Sequence, residues 1–261
     1  MSIITLLSDF GLRDSYVAEM KAVILSIDRN AILVDITHEI PKYSIRSGAF
    51  ALASAAPYFP KGSIHLAVVD PSVGSRRKPI VVETRKSLYV GPDNGLLMLA
   101  ANTEGISRVF EITQKKFLRD MLSSTFHGRD IFSPIAAHLS KGVSAKKVGR
   151  VLKTYCQPPF VSAHIRHNGI NCEVLHVDSF GNIVTNIRPK DLSQAGISVR
   201  SRVQFENRKF SFLKTYSDVP KGSLVGLVGS HGFFEIAANQ ENAARLLRLN
   251  VGSRLRLNVT C

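Results

Sequence analysis

Three polar side chains in two glycine-containing segments have the chemistry to hold and polarise a water molecule. Asp70 and Arg77 flank the turn PSVGS in 65-HLAVVDPSVGSRR-77, and this turn can fold the arginine back onto the preceding strand. An arginine placed there orients the aspartate through two hydrogen bonds and lowers its pKa. His127, in 125-TFHGRDIFSP-134, is the third candidate, because its glycine neighbour and loop setting would expose the imidazole. On these residues alone, a surface arginine and an unconnected loop histidine are the alternative interpretation.

Acidic side chains also follow the other apolar segments of the N-terminal part. Ligands of open α/β sheets bind beyond the carboxyl ends of the strands, so these side chains are expected on one rim, although each could also be a turn or cap residue. Asp9 has the clearest functional interpretation, because a carboxylate followed by Gly11 can accept two hydrogen bonds from a ribose diol. No phosphate-binding GxGxxG or GxxxxGK[ST] loop follows this strand, which favours a nucleoside over a nucleotide. The rim set comprises Asp9, Asp35, His38, Glu39, Asp70 and Asp93.

Strand-like and helical patterns alternate in the N-terminal part, which predicts an α/β domain with a mainly parallel sheet flanked by helices. The first three strands are continuously apolar, as expected for strands buried on both sides. The predicted strands are 3–7, 31–36 and 64–69, with a hairpin at 80–91, and the predicted helices are 16–27, 45–59, 96–101 and 132–139.

A second domain is expected after the two adjacent prolines in 155-YCQPPFVSAHI-165. Beyond them, short alternating segments at 173–177, 203–205 and 224–228 are separated by Gly, Asn, Asp and Ser turns. This pattern predicts a small antiparallel β-barrel-like domain. We therefore expect an N-terminal α/β domain over residues 1–157 and a C-terminal β domain over residues 158–261.

The composition narrows the classes of partner. The formal net charge of +14 suits polyanions, but it divides evenly, with +7 in residues 1–150 and +7 in residues 151–261. The basic runs at 141–153 and 245–256 lack the aromatic residues of a base-stacking platform, so nucleic acid is not expected as the main partner. No signal-peptide pattern or run of 18 apolar residues occurs, which predicts a soluble, cytoplasmic protein without membrane contact. The three cysteines have no zinc or disulfide spacing, and no metal site is expected.

Seven motifs, in order along nearly the whole chain, resemble the S-adenosyl-L-methionine (SAM) hydrolase family, also called SAM hydroxide adenosyltransferases, whose relatives include fluorinating and chlorinating enzymes. The motifs are TLLSDFGLRDSYVAEMK (5–21), DITHEIP (35–41), VVDPSVGSRR (68–77), YVGPDNGLL (89–97), TFHGRDIFSPIAAHL (125–139), VDSFGNIVTNI (177–187) and VGSHGFFEIA (228–237).

The resemblance implies metal-independent hydrolysis of SAM to adenosine and L-methionine, with SAM as substrate and no cofactor. It also implies a homotrimer whose active sites lie between the N-terminal domain of one subunit and the C-terminal domain of its neighbour. The water-activating set of the family falls on Asp70, Arg77 and His127, with Arg76 as the alternative arginine. The substrate-binding positions fall on Asp9 for the ribose, Asn182 and the Ala238 backbone for adenine, and Asp178, Ser230 and Glu235 for the methionine part.

Three other functions compete with hydrolysis. Halogenase-type adenosyl transfer needs a pocket for a halide, which the Asp70 carboxylate would repel. A metal-assisted phosphohydrolase could use the acidic rim, but the sequence has no HxH or HD pair at ligand spacing. A nucleic-acid-binding protein would account for the pI of about 10.0.

Overall fold

The computed structural model describes residues 2–158, 160, 162–167 and 169–260. The chain divides into two compact units, residues 1–159 and residues 160–261. None of the helices in the described part of the chain is long and apolar enough to cross a membrane.

In its described residues, the first unit contains seven strands and five α-helices. The strands are β1 (Ile3–Ser8), β2 (Ile32–Thr37), β3 (Ile64–Val68), β4 (Pro79–Thr84), β5 (Leu88–Pro92), β6 (Ile106–Ile112) and β7 (Gly149–Val151). The helices are α1 (Tyr16–Ile27), α2 (Ile45–Ala55), α3 (Met98–Glu104), α4 (Ser133–Ser140) and α5 (Ala145–Val148). A turn of π-helix, Gly128–Phe132, leads directly into α4.

One mixed sheet organises this unit, in the order β2-β1-β3-β5-β4-β6-β7. The pairs β2–β1, β1–β3 and β3–β5 are parallel, whereas β5–β4, β4–β6 and β6–β7 are antiparallel. Helices cover both faces: Ile4 and Leu6 share a core with Met20 of α1, and Leu7 faces Gly48 of α2. Alternate residues of a strand point to opposite faces, so the continuously apolar β1 fits its central position.

The second unit contains a closed, seven-stranded mixed barrel and one additional strand. Its strands are β8 (His164–Arg166), β9 (Gly169–Val177), β10 (Ile183–Thr185), β11 (Arg202–Phe205), β12 (Arg208–Phe212), β13 (Leu224–Val228), β14 (Phe234–Ala238) and β15 (Arg254–Thr260). The order β10-β14-β13-β12-β11-β15-β9 is closed by pairing of β9 with β10, and β8 adds to β9. All pairs are antiparallel except the parallel pair β12–β13. The unit also contains helices α6 (Pro189–Gln194) and α7 (Ala243–Leu247).

The predicted fold class, an α/β unit followed by a β-barrel-like unit, is confirmed. Two details differ from the sequence-based expectations. Strand β2 is partly exposed rather than buried on both sides, because it lies at the sheet edge. Strands β6 and β7 extend the sheet in an antiparallel sense, so half of the strand pairs are parallel.

Candidate active site

Asp70, Arg77 and His127 form one connected cluster beyond the carboxyl end of β3. Arg77 Nε donates hydrogen bonds to Asp70 Oδ2 at 2.9 Å and to Oδ1 at 3.1 Å, and Arg77 Nη2 also pairs with Oδ2. The same Nη2 lies 2.6 Å from Nδ1 of His127. The Asp70 and Arg77 side chains are 4% and 7% exposed, so little water screens their interaction. Arg76 is exposed, and the structure therefore pairs Arg77 with Asp70.

Arg77 fixes the protonation of the His127 imidazole. A guanidinium donates hydrogen bonds and cannot accept them, so Nδ1 of His127 must be unprotonated in this contact. Burial first, and then the positive charge of Arg77, lower the pKa of His127. At neutral pH the imidazole is therefore uncharged and carries its proton on Nε2.

The turn that carries Arg77 packs directly against the loop that carries His127. Gly74 lies in this turn at φ +79°, and a Cβ atom there would come within 2.6 Å of the carbonyl oxygen of Ser124. Only glycine adopts this conformation readily and also permits such close backbone contact. This contact brings the two functional loops together.

Asp130 stabilises the loop that carries His127. Its fully buried carboxylate accepts hydrogen bonds from the Ser123 backbone at 2.7 Å, from Arg129 Nε at 2.7 Å and from Arg119 Nη1 at 3.2 Å. Burial opposes ionisation of Asp130, but these donors outweigh it and lower the pKa of the carboxyl group. Asp130 therefore ties together both ends of the segment in which His127 lies.

Asp9 follows β1 and is held by the segment after β2. Its Oδ2 accepts a hydrogen bond from the Tyr43 backbone at 2.8 Å, and its carbonyl oxygen accepts one from Lys42 Nζ. The carboxylate is nearly buried, and Gly11, at φ +71°, donates from its backbone to the carbonyl of His38 at 2.8 Å. Among the described residues, none donates a hydrogen bond to Oδ1 of Asp9.

Three of the other predicted rim residues, Asp35, His38 and Asp93, form structural contacts. His38 Nδ1 lies 2.7 Å from Ser8 Oγ, its Nε2 lies 3.1 Å from Asp35, and Lys21 pairs with Asp35 at 2.6 Å. Asp93 accepts a hydrogen bond from the Cys156 backbone at 2.9 Å. Within the described residues, no three His, Cys, Asp or Glu side chains converge as a metal-ligand set.

In the second unit, Asp178 and Asn182 form a tight turn after β9. Asp178 Oδ1 accepts from the backbone of Phe180 and of Asn182, each at 2.9 Å, and Oδ2 accepts from Asn182 Nδ2 at 2.9 Å. Gly181, at φ +87°, completes the turn. The side-chain carbonyl oxygen of Asn182, Oδ1, is therefore held in a fixed orientation.

A cavity of about 690 Å³ opens beside this turn. Its walls include Asp178, Asn182 and Ala238, together with the aromatic rings of Phe180 and Tyr216. A volume of this size suits a nucleoside-sized ligand.

Glu235 and Ser230 do not line this cavity. Glu235 is buried and accepts a hydrogen bond from the Tyr216 hydroxyl at 2.8 Å, while Nε2 of His231 lies 3.1 Å from its other oxygen. Burial, followed by the contact with Glu235, raises the pKa of Tyr216. Ser230 is exposed in the turn between β13 and β14. Glu235 thus reaches the cavity indirectly, through Tyr216.

Family profiles match both units. Residues 4–149 match the family described as SAM hydroxide adenosyltransferase N-terminal domain, and residues 172–256 match its C-terminal domain. The chain belongs to the SAM hydroxide adenosyltransferase family.

Relatives of the chain include hydrolases and halogenating enzymes. An (R)-S-adenosyl-L-methionine hydrolase of Methanocaldococcus jannaschii is 36% identical, with 96% of this chain and 93% of that protein covered. The protein of the same name from Salinispora tropica is 37% identical, with 97% of each chain covered. A fluorinase of Actinoplanes is 24% identical, with 96% of this chain and 95% of that protein covered. An uncharacterized conserved protein from Thermotoga maritima has the same fold, with a TM-score of 0.91, 35% identity and coverage of 98% and 99%.

The structure groups most of the predicted site residues. Asp70, Arg77 and His127 are in contact, and Asp178, Asn182 and Ala238 share one cavity. Sequence analysis missed Tyr216 and Asp130. Asp130 lies within the motif 125-TFHGRDIFSP-134, three residues after His127, so its charge was a usable signal. Tyr216 begins a short 3-10 helix whose sequence has no distinguishing pattern.

Proposed function

We propose that this protein hydrolyses SAM to adenosine and L-methionine by attack of water on the ribose 5′ carbon. The observation that carries this proposal is the Asp70–Arg77–His127 cluster, in a chain similar over nearly its whole length to (R)-S-adenosyl-L-methionine hydrolases. A carboxylate beside the attacking position suits water and disfavours a halide ion.

The reaction requires little of the enzyme beyond positioning the water and the substrate. The sulfonium is an excellent leaving group: the water oxygen forms a bond to the 5′ carbon, and the carbon–sulfur electron pair returns to sulfur as methionine leaves. The attacking water must be aligned and must lose a proton, and other nucleophiles must be excluded.

Asp70 and His127 have different roles in this step. Because Nδ1 of His127 accepts from Arg77, its Nε2–H can donate to the water oxygen but cannot take up a proton. Asp70, oriented by Arg77, is the group that accepts the proton of the water. His127 therefore orients the water, and Asp70 acts as the base.

The substrate-binding roles remain proposals for individual residues. Asp9 binds the ribose hydroxyls, and the Asn182 carbonyl oxygen, with the Ala238 backbone, binds adenine. Asp178 and Ser230 bind the ammonium and carboxylate of methionine. Since Glu235 already accepts from Tyr216 and contacts His231, we assign it a supporting role through Tyr216.

We further propose that the protein is a homotrimer and that residues 1–157 and 158–261 contribute the catalytic and substrate-binding halves of each site. The proposed halves lie on different units, so one substrate needs both. Metal independence and a cytoplasmic location are further predictions from the sequence.

The direct test incubates the purified protein with each sulfonium epimer of SAM, followed by chromatography. The proposal predicts adenosine and methionine in equal amounts, with faster turnover of the (R) epimer, as the names of the relatives specify. Turnover should survive a chelator and should give no halogenated nucleoside in fluoride or chloride. Methylthioadenosine, homocysteine or no product from either epimer would refute the proposed reaction.

A further inference from the structure

The outer wall of the barrel concentrates positive charge that is scattered in the sequence. Strands β8, β11, β12 and β15 together contain six Lys and Arg residues and no Asp or Glu. Their apolar side chains, including Val203, Phe210, Leu255 and Leu257, fill the barrel interior. The intervening residues therefore project outward. We name the exposed residues Arg166, Arg202, Lys209, Arg254 and Arg256 the basic face.

Strand register builds a continuous row within this face. Across five adjacent strands, cross-strand partners follow one another in the order Lys209, Gln204, Asn258, Gly169 and Arg166. Since neighbouring strands lie about 4.8 Å apart, the row extends for about 19 Å along the wall. Two basic residues thus end a row whose middle is neutral and polar.

Arg256 is oriented across the middle of this row. Its Nε donates to Asn258 Oδ1 at 3.0 Å, and its Nη2 donates to the carbonyl of Arg166 at 3.3 Å. Gly169 lies beneath it, and a Cβ atom there would come within 3.1 Å of Arg256 Nε. The guanidinium is therefore held flat over β9 and remains exposed, with N–H groups left for another acceptor.

The neighbouring side chains identify the chemistry of the partner. None of the five basic residues forms an ion pair with another residue in the described part of the chain. The described outward positions between them are Gln204, Ser211, Asn258, Asn171, Gly169 and His164, and none is an exposed Trp, Tyr, Phe or large aliphatic residue. Glu173, the cross-strand partner of Arg254, is buried. Such a surface has no large apolar side chain to insert into a lipid layer and no Trp, Tyr or Phe ring to form a stacking platform for bases. Arginine, lysine, asparagine and glutamine together are typical donors to phosphate oxygens.

We propose that the basic face binds the phosphate backbone of nucleic acid without sequence preference, as a function separate from SAM hydrolysis. This reverses the expectation from the evenly divided charge, because the barrel register gathers residues that lie up to 90 positions apart, as in the Arg256–Arg166 contact. It also accounts for part of the net charge of +14, which the hydrolytic reaction does not require.

The test measures binding of the full-length protein to a 30-base-pair duplex of random sequence and to anionic lipid vesicles between 50 and 200 mM salt. The triple variant Arg166→Gln, Lys209→Gln, Arg256→Gln removes three charges from the basic face. It should bind the duplex about tenfold or more weakly, and its slope of log affinity against log salt should be shallower by about 2.7, because each lost phosphate contact removes about 0.9. SAM turnover and thermal unfolding should not change.

The matched control, Lys146→Gln, Lys147→Gln, Lys153→Gln, removes the same charge from exposed positions of the first unit. It should retain duplex binding to within about twofold, because its residues lie outside the basic face. Equal losses in both triples would show that net charge alone drives binding. Such equal losses would overturn the proposal. Binding to vesicles but not to the duplex would also overturn it, and so would the absence of duplex binding at 150 mM salt.

Discussion

Asp70 is the residue on which the proposed chemistry depends most directly. In Asp70→Asn the side chain keeps its shape but can no longer accept the proton of the water, so kcat should fall by about 10² to 10⁴. KM should change little, because no substrate-binding group is lost. Steady-state kinetics with SAM measure both constants. Unchanged turnover in this variant would remove Asp70 from the mechanism.

The lowered pKa of His127 predicts a specific pH dependence of kcat. Burial and Arg77 lower its pKa below the usual value of 6.5, so the neutral form that accepts from Arg77 prevails at pH 7 and above. As pH falls through this lowered pKa, Nδ1 becomes protonated, the contact with Arg77 is lost and kcat should fall.

A profile of kcat from pH 4.5 to 8.5 tests this dependence. In His127→Asn the acid limb assigned to the imidazole should disappear, at a lower plateau rate. A midpoint above pH 6.5 in the native protein would contradict the assigned protonation state.

The sequence indicated the proposed catalytic residues better than the residues that hold them in place. Asp70 and Arg77 were predictable because one short turn separates them, and Asp9 because it ends an apolar strand. The division of roles between Asp70 and His127 was not predictable, because it depends on which imidazole nitrogen faces Arg77. That orientation is a property of the assembled loops.

At the level of elements, the loop before α4 must hold His127 against Arg77. Asp130 connects Ser123, Arg119 and Arg129 through one buried carboxylate, so Asp130→Asn should loosen this loop. We expect kcat to fall about tenfold or more with a smaller change in KM, and the protein to lose about 3 kcal/mol of stability, since a buried ion pair is broken.

The exposed Asp120 of the same segment provides the control. Asp120→Asn should match the native protein in kcat and in denaturant unfolding. If Asp130→Asn lowers stability but leaves kcat and its pH profile unchanged, Asp130 supports the fold without positioning His127.

Elements with a strong hydrophobic periodicity, such as α1, were predictable from the sequence. Strands that form only by pairing with distant segments of the chain, such as β6, were not. Helix α1 was predicted at its observed bounds, because its apolar positions recur on one face. Strand β6 was missed, although its segment ISRVFEI is rich in β-branched residues, because its only described sheet partners, β4 and β7, come from distant parts of the chain. The exposure of β2 likewise depends on its place at the sheet edge.

At the level of the whole molecule, the proposed trimer makes each active site from two subunits. Asp70→Ala removes the base from the first unit, and Asn182→Ala removes an adenine contact from the second. Each variant alone should be nearly inactive, but mixing them under conditions of subunit exchange should restore part of the activity, because some sites then combine two intact halves. Mass measurement confirms exchange. Mixed oligomers as inactive as their parents would place both halves of a site in one chain.

The central claim, attack of water on the ribose 5′ carbon, is tested most directly by isotope labelling. SAM is turned over in ¹⁸O-enriched water, and the products are analysed by mass spectrometry. The mechanism predicts one heavy oxygen in the 5′-hydroxyl of adenosine and none in methionine, because the carbon–sulfur bond breaks on the ribose side. Unlabelled adenosine, or label in the methionine product, would contradict it.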